Sequence, residues 1–129
     1  MTAGGWSSRP ISRDERGSAS VLMAGVMGVV VLLSYTLMLV AGYAVAYHRA
    51  RAAADLVAVS AAGAFEMGQD ACGQARRSAT SNGAGLLSCD RVGDQLGFVV
   101  TVRVSIRTPS HVAGLPRQVQ AEAHAGPVG

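Results

Sequence analysis

The longest apolar stretch of the chain runs from Gly17 to Tyr47, and none of its 31 positions is charged or proline. About 20 apolar residues in a helix cross the roughly 30 Å hydrocarbon core of a bilayer. Lipid offers no hydrogen-bond partners to the backbone, so a segment inside the bilayer has to be helical. The pattern therefore predicts a transmembrane helix over residues 18–47.

The length of the run separates the possible interpretations. At about 1.5 Å per residue it extends some 45 Å, so we expect it to tilt or to emerge from the membrane on one side. A secretory signal peptide has a shorter apolar region, of about 7–15 residues, which favours a retained anchor. A buried hairpin would need polar turn residues midway, and the run has none.

Helical patterning continues through residues 48–68, which are rich in alanine and contain no proline. At about 3.6 residues per turn, large apolar side chains gather on one face and charged ones on the other, so the pattern predicts an amphipathic helix extension. The expected apolar face carries Leu56, Val59, Gly63 and Met67, and the opposite face carries Arg51, Asp55 and Glu66.

A second, short helix is predicted from Ala71 to Ser81. Gly68 ends the preceding helix, Asp70 is a favourable N-cap, and Asn82-Gly83 is a left-handed terminator. The residues expected to face inward on this helix are Cys72, Ala75 and Ala79, and those expected in solvent are Arg76 and Arg77.

From Leu86 onward the period changes to two, which is typical of strands. The clearest strand is Phe98 to Arg107, in which four apolar residues alternate with polar ones, and weaker strands are predicted at Leu86 to Val92 and Gln118 to Ala125. Short connections favour an antiparallel meander, whose apolar face we expect the emerging helix to cover. The predicted fold class is α+β, in which a long N-terminal transmembrane helix continues into an amphipathic helix packed on a small antiparallel sheet.

The resulting organisation is a leader over residues 1–17, the span over 18–47, the helix extension over 48–68 and a small domain over 69–129. Arg9, Arg13 and Arg16 precede the span, and Arg49 and Arg51 follow it. Cytoplasmic flanks of membrane helices carry an excess of basic residues, so charge gives a slight preference for a cytoplasmic N-terminus. We therefore expect a single-pass protein of the cell membrane, with its C-terminal domain outside the cytoplasm.

Cys72 and Cys89 are the only cysteines. An even count outside the membrane suggests one disulfide, and the alternative is two buried thiols in a reducing compartment. The few large apolar side chains after Tyr47 make a thin core, of the size that often needs such a bond or a partner. We predict a bond that joins the second helix to the first strand.

Nothing in the pattern indicates catalysis, a cofactor, a metal site or a small-molecule substrate. The three histidines, His48, His111 and His124, have no second ligand type at metal spacing, and the carboxylates are sparse and separated. Asp55 is expected to pair with Arg51 one turn away. All 11 basic side chains are arginines scattered along the chain, which gives no support to nucleic-acid binding.

Gly25 and Gly28 are small residues in an otherwise bulky apolar helix. Small residues mark close contact between membrane helices, so these two are candidate helix-packing positions. Their spacing is not that of the common GxxxG pattern, and simple tolerance of glycine in a membrane helix is the alternative.

The leader Asp14-Glu15-Arg16-Gly17-Ser18 precedes the apolar helix, which runs into His48-Arg49-Ala50-Arg51 and onward to Leu56. This stretch resembles the TadE/TadG-like proteins of tight-adherence (Flp) pilus systems. The rest of the chain has the two cysteines, Ser81-Asn82-Gly83-Ala84 before a strand and a closing Ala125-Gly126-Pro127, and it resembles small actinobacterial TadE-like proteins encoded near secretion genes. The resemblance implies a non-enzymatic, pilin-like membrane component, with membrane lipid and either other pilin-like subunits or secretion-machinery membrane proteins as partners. The competing interpretation is a membrane-tethered envelope adaptor with no role in pili.

One position departs from that family. Prepilin leaders of this class are cut after a glycine, which the resemblance places between Gly17 and Ser18, and carry glutamate at the fifth position after the cut. Here that position is Leu22. Without the carboxylate that attracts a neighbour's N-terminal amine, we expect the protein to stay mainly in the membrane in few copies.

Overall fold

The computed structural model describes residues 4–5, 14–108, 114 and 116–127, and within its first helix the side chains from Gly17 onward. The elements in chain order are helix α1 (Asp14–Glu66), helix α2 (Ala71–Ser81) and strands β1 (Gly85–Gly93), β2 (Phe98–Arg107) and β3 (Gln118–Ala125). The predicted α+β class is confirmed, and the described residues divide into two compact units at residues 1–37 and 38–129.

The described part of the first unit is the beginning of α1. Its large apolar side chains are exposed, from Val21 at 73% to Leu37 at 68%. Ser34 donates a hydrogen bond to the carbonyl oxygen of Val30 at 2.8 Å, so that hydroxyl is satisfied within the helix, as is the hydroxyl of Thr36 with Leu32. The helix is long and apolar enough to cross a membrane.

The second unit is built on a three-stranded antiparallel sheet in the order β1-β2-β3. The central strand pairs regularly with β3, from Val100 opposite Ala125 to Arg107 opposite Gln118. Strand β1 carries a bulge between Leu86 and Ser88. The three predicted strands are therefore present, and β1 extends one residue further at each end than expected.

The turn between β1 and β2 requires glycine at its first position. A Cβ on Gly93, whose φ is +106°, would lie 2.0 Å from the carbonyl oxygen of Gly97. The Asp94 side chain then accepts hydrogen bonds from the amides of Leu96 and Gly97, at 3.0 and 3.1 Å. These contacts fix a tight connection, which places β1 and β2 in antiparallel register.

The core lies between the sheet and the later part of α1. Alternate residues of β2 point into it, and Val100, Val102 and Val104 are fully buried. The helix meets them with small side chains, among which Ala54 and Ala61 are also fully buried. Helix α2 adds Ala71, Ala75 and Ala79, so most residues that the two helices contribute are alanines.

The predicted apolar face of the helix extension is wrong. Leu56 is 55% exposed, Val59 66% and Met67 71%, whereas the buried face is lined by alanines and Val57. The physical reason is the bulk of the opposing valines, because small side chains let the helix backbone approach a β-branched surface closely. The prediction rested on the large apolar residues. Alanines occur on both sides of this helix, so their positions in the sequence did not indicate which side is buried.

The two ends of this second unit are defined by packing. At one end, Ala46 and Ala50 of α1 cluster with Val119, and Ile106 packs against them. We call this the Ala46 end. At the other, the ring of Phe65 lies 4.6 Å from that of Phe98, and we call this the Phe65 end. The later part of α1 and strand β2 therefore run side by side in opposite directions.

Candidate functional site

The predicted bond between Cys72 and Cys89 is present and joins α2 to β1, with the two Cα atoms 5.8 Å apart. Cys72 follows the first residue of α2, and Cys89 lies in the middle of β1. The closure links residues 17 positions apart. In the chain-entropy model, a loop of about this size stabilises the fold by roughly 3 kcal/mol.

The start of α2 differs from the expected cap. Asp70 occupies the N-cap position with an extended backbone, but its side chain makes no capping hydrogen bond. Its backbone carbonyl accepts a hydrogen bond from the amide of Gln74 at 3.0 Å. Arg76 and Arg77 are exposed, as predicted.

The candidate helix-packing residues lie on the exposed part of α1. A Cβ added to Gly25 or to Gly28 would meet nothing within 4 Å, so neither glycine is required by a contact within the chain. Gly25 shares a shallow apolar groove on the helix surface with Leu22 and with Val26, Val29 and Val30. The structure thus brings Leu22 and Gly25 together and leaves Gly28 outside this groove. Gly17 and Ser18, the candidate processing site, lie within α1 and are exposed.

The outer face of the sheet carries a polar network across β2 and β3. The Arg103 guanidinium donates a hydrogen bond to the Glu122 carboxylate at 2.6 Å. The other oxygen of Glu122 lies 3.3 Å from Nε2 of His124, and Nδ1 of that ring lies 2.8 Å from the Thr101 hydroxyl. Sequence reasoning missed this network because only the strand register places these four residues opposite one another.

The network is exposed on a flat strand surface: half of the Arg103 side chain and 59% of the His124 side chain are accessible. Ion pairs at such exposure contribute little stability, between about 0 and 1 kcal/mol. Each member already has a partner within the network, which links side chains of β2 to side chains of β3. Among the described residues, no cluster of three potential metal ligands is present. His111 lies outside the described residues.

The ion pair expected between Arg51 and Asp55 does not form. The described ion pairs are those of Glu122 with Arg103 and with His124. Arg91 instead makes a contact that the sequence did not suggest, because its guanidinium carbon lies 4.3 Å from the centre of the Phe65 ring. That cation–π contact closes the core at the Phe65 end.

A groove of about 420 Å³ opens at the Ala46 end. Two of the described residues that line it are arginines, Arg49 from α1 and Arg107 from the last position of β2. The other described lining residues are apolar or small: Met38, Ala41, Gly42, Val45, Ala46 and Ile106. Sequence spacing could not reveal this groove, since only the packing of α1 on the sheet brings Arg49 and Arg107 to one place.

The two ends of the second unit differ in charge, because the Ala46 end carries arginines and the Phe65 end carries both signs, with Arg91 over the Phe65 ring. Arg49 and Arg107 lie at the Ala46 end. Arg117 lies at the same end, because its backbone carbonyl accepts a hydrogen bond from the amide of Thr108 at 2.9 Å. The Phe65 end carries Glu66 and, in the turn before Phe98, Asp94.

In comparisons with protein-family models, with curated proteins and with solved structures, nothing matches this chain.

Proposed function

We propose that this chain is a pilin-like membrane component, a minor pilin or an assembly factor, of a Tad/Flp-type pilus or related secretion system. The observation that carries the proposal is the difference between the early and later parts of α1. Its early part exposes bulky apolar side chains, and its later part is the scaffold on which the sheet packs. The sequence resemblance to TadE/TadG-like proteins supports the same role, which requires no catalytic group.

The proposed topology places the N-terminus in the cytoplasm and the sheet outside it. The disulfide between Cys72 and Cys89 supports this orientation, because such bonds persist in oxidising compartments and are rare in the cytosol. An alkaline phosphatase fused after Gly129 should be active in cells. Inactivity of that fusion, with activity of a cytoplasmic reporter at the same point, would reverse the proposed orientation.

The decisive experiment measures where the protein goes in its native host. Surface structures are sheared from cells, and the protein in the sheared and membrane fractions is quantified and sequenced from its N-terminus. We expect most of it in the membrane fraction, in few copies, co-isolating with the membrane proteins of the pilus machinery. Any processed form should begin at Ser18. Abundant wild-type protein in long sheared filaments would show that Leu22 does not hinder assembly.

Leu22 gives the experiment a matched pair of variants. In a host with a major pilin, Leu22→Glu should raise the sheared fraction, because a carboxylate in hydrocarbon is stabilised by a neighbour's amine. Leu22→Gln adds a polar group of similar size without the charge and should leave the sheared fraction at the wild-type level. An equal response to both variants would remove the electrostatic explanation.

The envelope-adaptor interpretation is favoured by one surface. The turn between β1 and β2 and the adjoining strand ends expose apolar side chains at the Phe65 end: Leu96 in the turn is 94% exposed, Val92 of β1 74% and Val99 of β2 47%. Under the adaptor interpretation, Leu96→Ser should abolish co-isolation of an envelope protein that is unrelated to pili. Co-isolation of pilus machinery that is unaffected by Leu96→Ser would favour the pilin-like role.

A further inference from the structure

We infer that the groove at the Ala46 end binds an anionic phospholipid, with the phosphodiester between Arg49 and Arg107 and an acyl chain along the apolar wall of α1. The chemistry of the groove lining fits such a lipid. Its described residues are apolar or small apart from the two guanidinium groups. A phospholipid presents the complementary pair of groups, an apolar chain joined to a phosphate. Arginine is suited to phosphate because its planar fork donates two parallel hydrogen bonds.

The position of the groove along α1 also fits a membrane lipid. The predicted span ends at Tyr47, and the groove runs from Met38, inside the span, to Arg49, just beyond it. The 11 residue-to-residue steps from Met38 to Arg49 cover about 16 Å of helix. One leaflet contributes about half of a 30 Å hydrocarbon core, so the groove matches the depth of a single acyl chain. Arg49 then lies at the level of the lipid phosphates, where basic side chains are attracted to anionic lipid.

Small residues of α1 leave room for the acyl chain. Gly42 lines the groove, and a Cβ added there would meet nothing within 4 Å. The neighbouring lining residues Ala41 and Ala46 are also small, so the recess lies along the helix surface itself. Its opposite wall is Ile106, which packs against the helix from the end of β2.

The charge distribution supports an anionic headgroup. Arg49 and Arg107 are exposed, and Arg117 lies beside Thr108 at the same end of the unit. The acidic residues Glu66 and Asp94 lie at the opposite end, far from the groove, beside Phe65 and before Phe98, and Arg91 also lies at that end, over the Phe65 ring. An anion that approaches the groove therefore meets attraction from the nearest charges. The site does not depend on a role in a pilus system, since an adaptor with the same anchor would bind the same lipid.

The test uses the full-length protein extracted from bilayers that contain phosphatidylglycerol and phosphatidylcholine in equal amounts, with bound lipid counted by native mass spectrometry. We expect the wild-type protein to retain phosphatidylglycerol preferentially. Arg49→Gln/Arg107→Gln should lower that preference about 30-fold, which corresponds to about 1 kcal/mol for each arginine near the membrane surface. Arg76→Gln/Arg77→Gln removes the same charge from the exposed side of α2 and should retain the wild-type preference.

A second pair of variants tests the apolar part of the groove without changing charge. Gly42→Leu fills the recess and should lower retention of phosphatidylglycerol, whereas Ala44→Leu adds the same bulk at an exposed position outside the groove and should not. Inorganic phosphate at millimolar concentration should fail to displace the lipid, because it offers no acyl chain.

Five results would overturn the inference. The first is equal retention of the two lipids by the wild-type protein. The second is an equal loss in both arginine pairs, which would reduce the effect to net charge. The third is an unchanged lipid count in Gly42→Leu, and the fourth is displacement by phosphate alone, which would identify a simple anion site. Recovery of a protein helix in place of lipid, by cross-linking from Val45→Cys, would assign the groove to a protein partner.

Discussion

The early and later parts of α1 differ in which side chains they expose and which they bury. Between Val21 and Val45 the large apolar residues are exposed, except for the half-buried Leu39, and between Ala46 and Ala64 the buried positions are alanines and a single valine. A helix surrounded by lipid gains by presenting bulk outward, because there is no water to avoid. A helix packed on a sheet of valines is stabilised by small side chains on its buried face, because they let its backbone approach the sheet closely. Along this one helix, most of the large apolar side chains are therefore exposed, and most of the buried side chains are small.

The largest expected difference between the two parts of α1 is in what covers their exposed side chains. Val30 and Leu56 are similarly accessible in the chain alone, at 50% and 55%. In cells, Val30→Cys should resist a membrane-impermeant maleimide because lipid covers it, whereas Leu56→Cys should be labelled nearly to completion. Equal labelling of the two would show that the early part of α1 does not lie in a bilayer.

Next in size is the effect of a charge in the core. Val102→Asp places a carboxylate at a fully buried position without a partner, and a loss of about 4 kcal/mol or more should unfold the second unit. The matched change Val99→Asp lies on the same strand but is 47% exposed and should cost far less. Thermal unfolding and protease resistance of the full-length protein in micelles measure both variants. Similar losses would contradict the assignment of the strand's two faces.

The disulfide should contribute an intermediate amount. The double variant Cys72→Ser/Cys89→Ser should lose about 3 kcal/mol of unfolding free energy, since the unfolded chain regains the entropy of an open loop. Denaturant titration gives the difference, and Ser88→Ala, an exposed neighbour on β1, is the control. Thiol labelling of both cysteines in unreduced wild-type protein would show that the bond does not form in cells.

A smaller effect is expected when a buried alanine of α1 is enlarged. Ala54→Leu adds bulk at a position with no exposed surface, and overpacking of this kind costs about 1–3 kcal/mol. Ala52→Leu makes the identical change on the exposed side of the same helix and should be close to neutral. If the two variants unfold at the same temperature, the close approach of α1 to the sheet is not what selects alanine.

The sequence predicted elements better than it predicted faces. The strands were recognisable because Val100, Val102 and Val104 alternate with polar residues, and the alternation of a strand directly gives its buried side. On α1 the same logic failed, since Leu56 and Val59 looked more suitable for burial than their alanine neighbours. Alanine is equally at home on both sides of a helix, so its burial is decided by what packs against it.

The candidate sites divide in the same way. The pairing of Cys72 with Cys89 followed from the cysteine count, and the glycines at 25 and 28 could be read from the chain. Neither the cross-strand network of Glu122 nor the groove between Arg49 and Arg107 has a sequence signature, because each joins residues that are distant in the chain.

By itself, then, the sequence determined the long apolar helix, the helix that follows it, the three strands and the one possible disulfide. These features depend on local periodicity and on composition, which a single chain displays directly. Only the tertiary structure decided which side of α1 meets the sheet, which polar residues stand opposite one another, and where Arg107 lies relative to Arg49. Those outcomes depend on how closely two surfaces can approach, and that distance is set by the shape of both surfaces together.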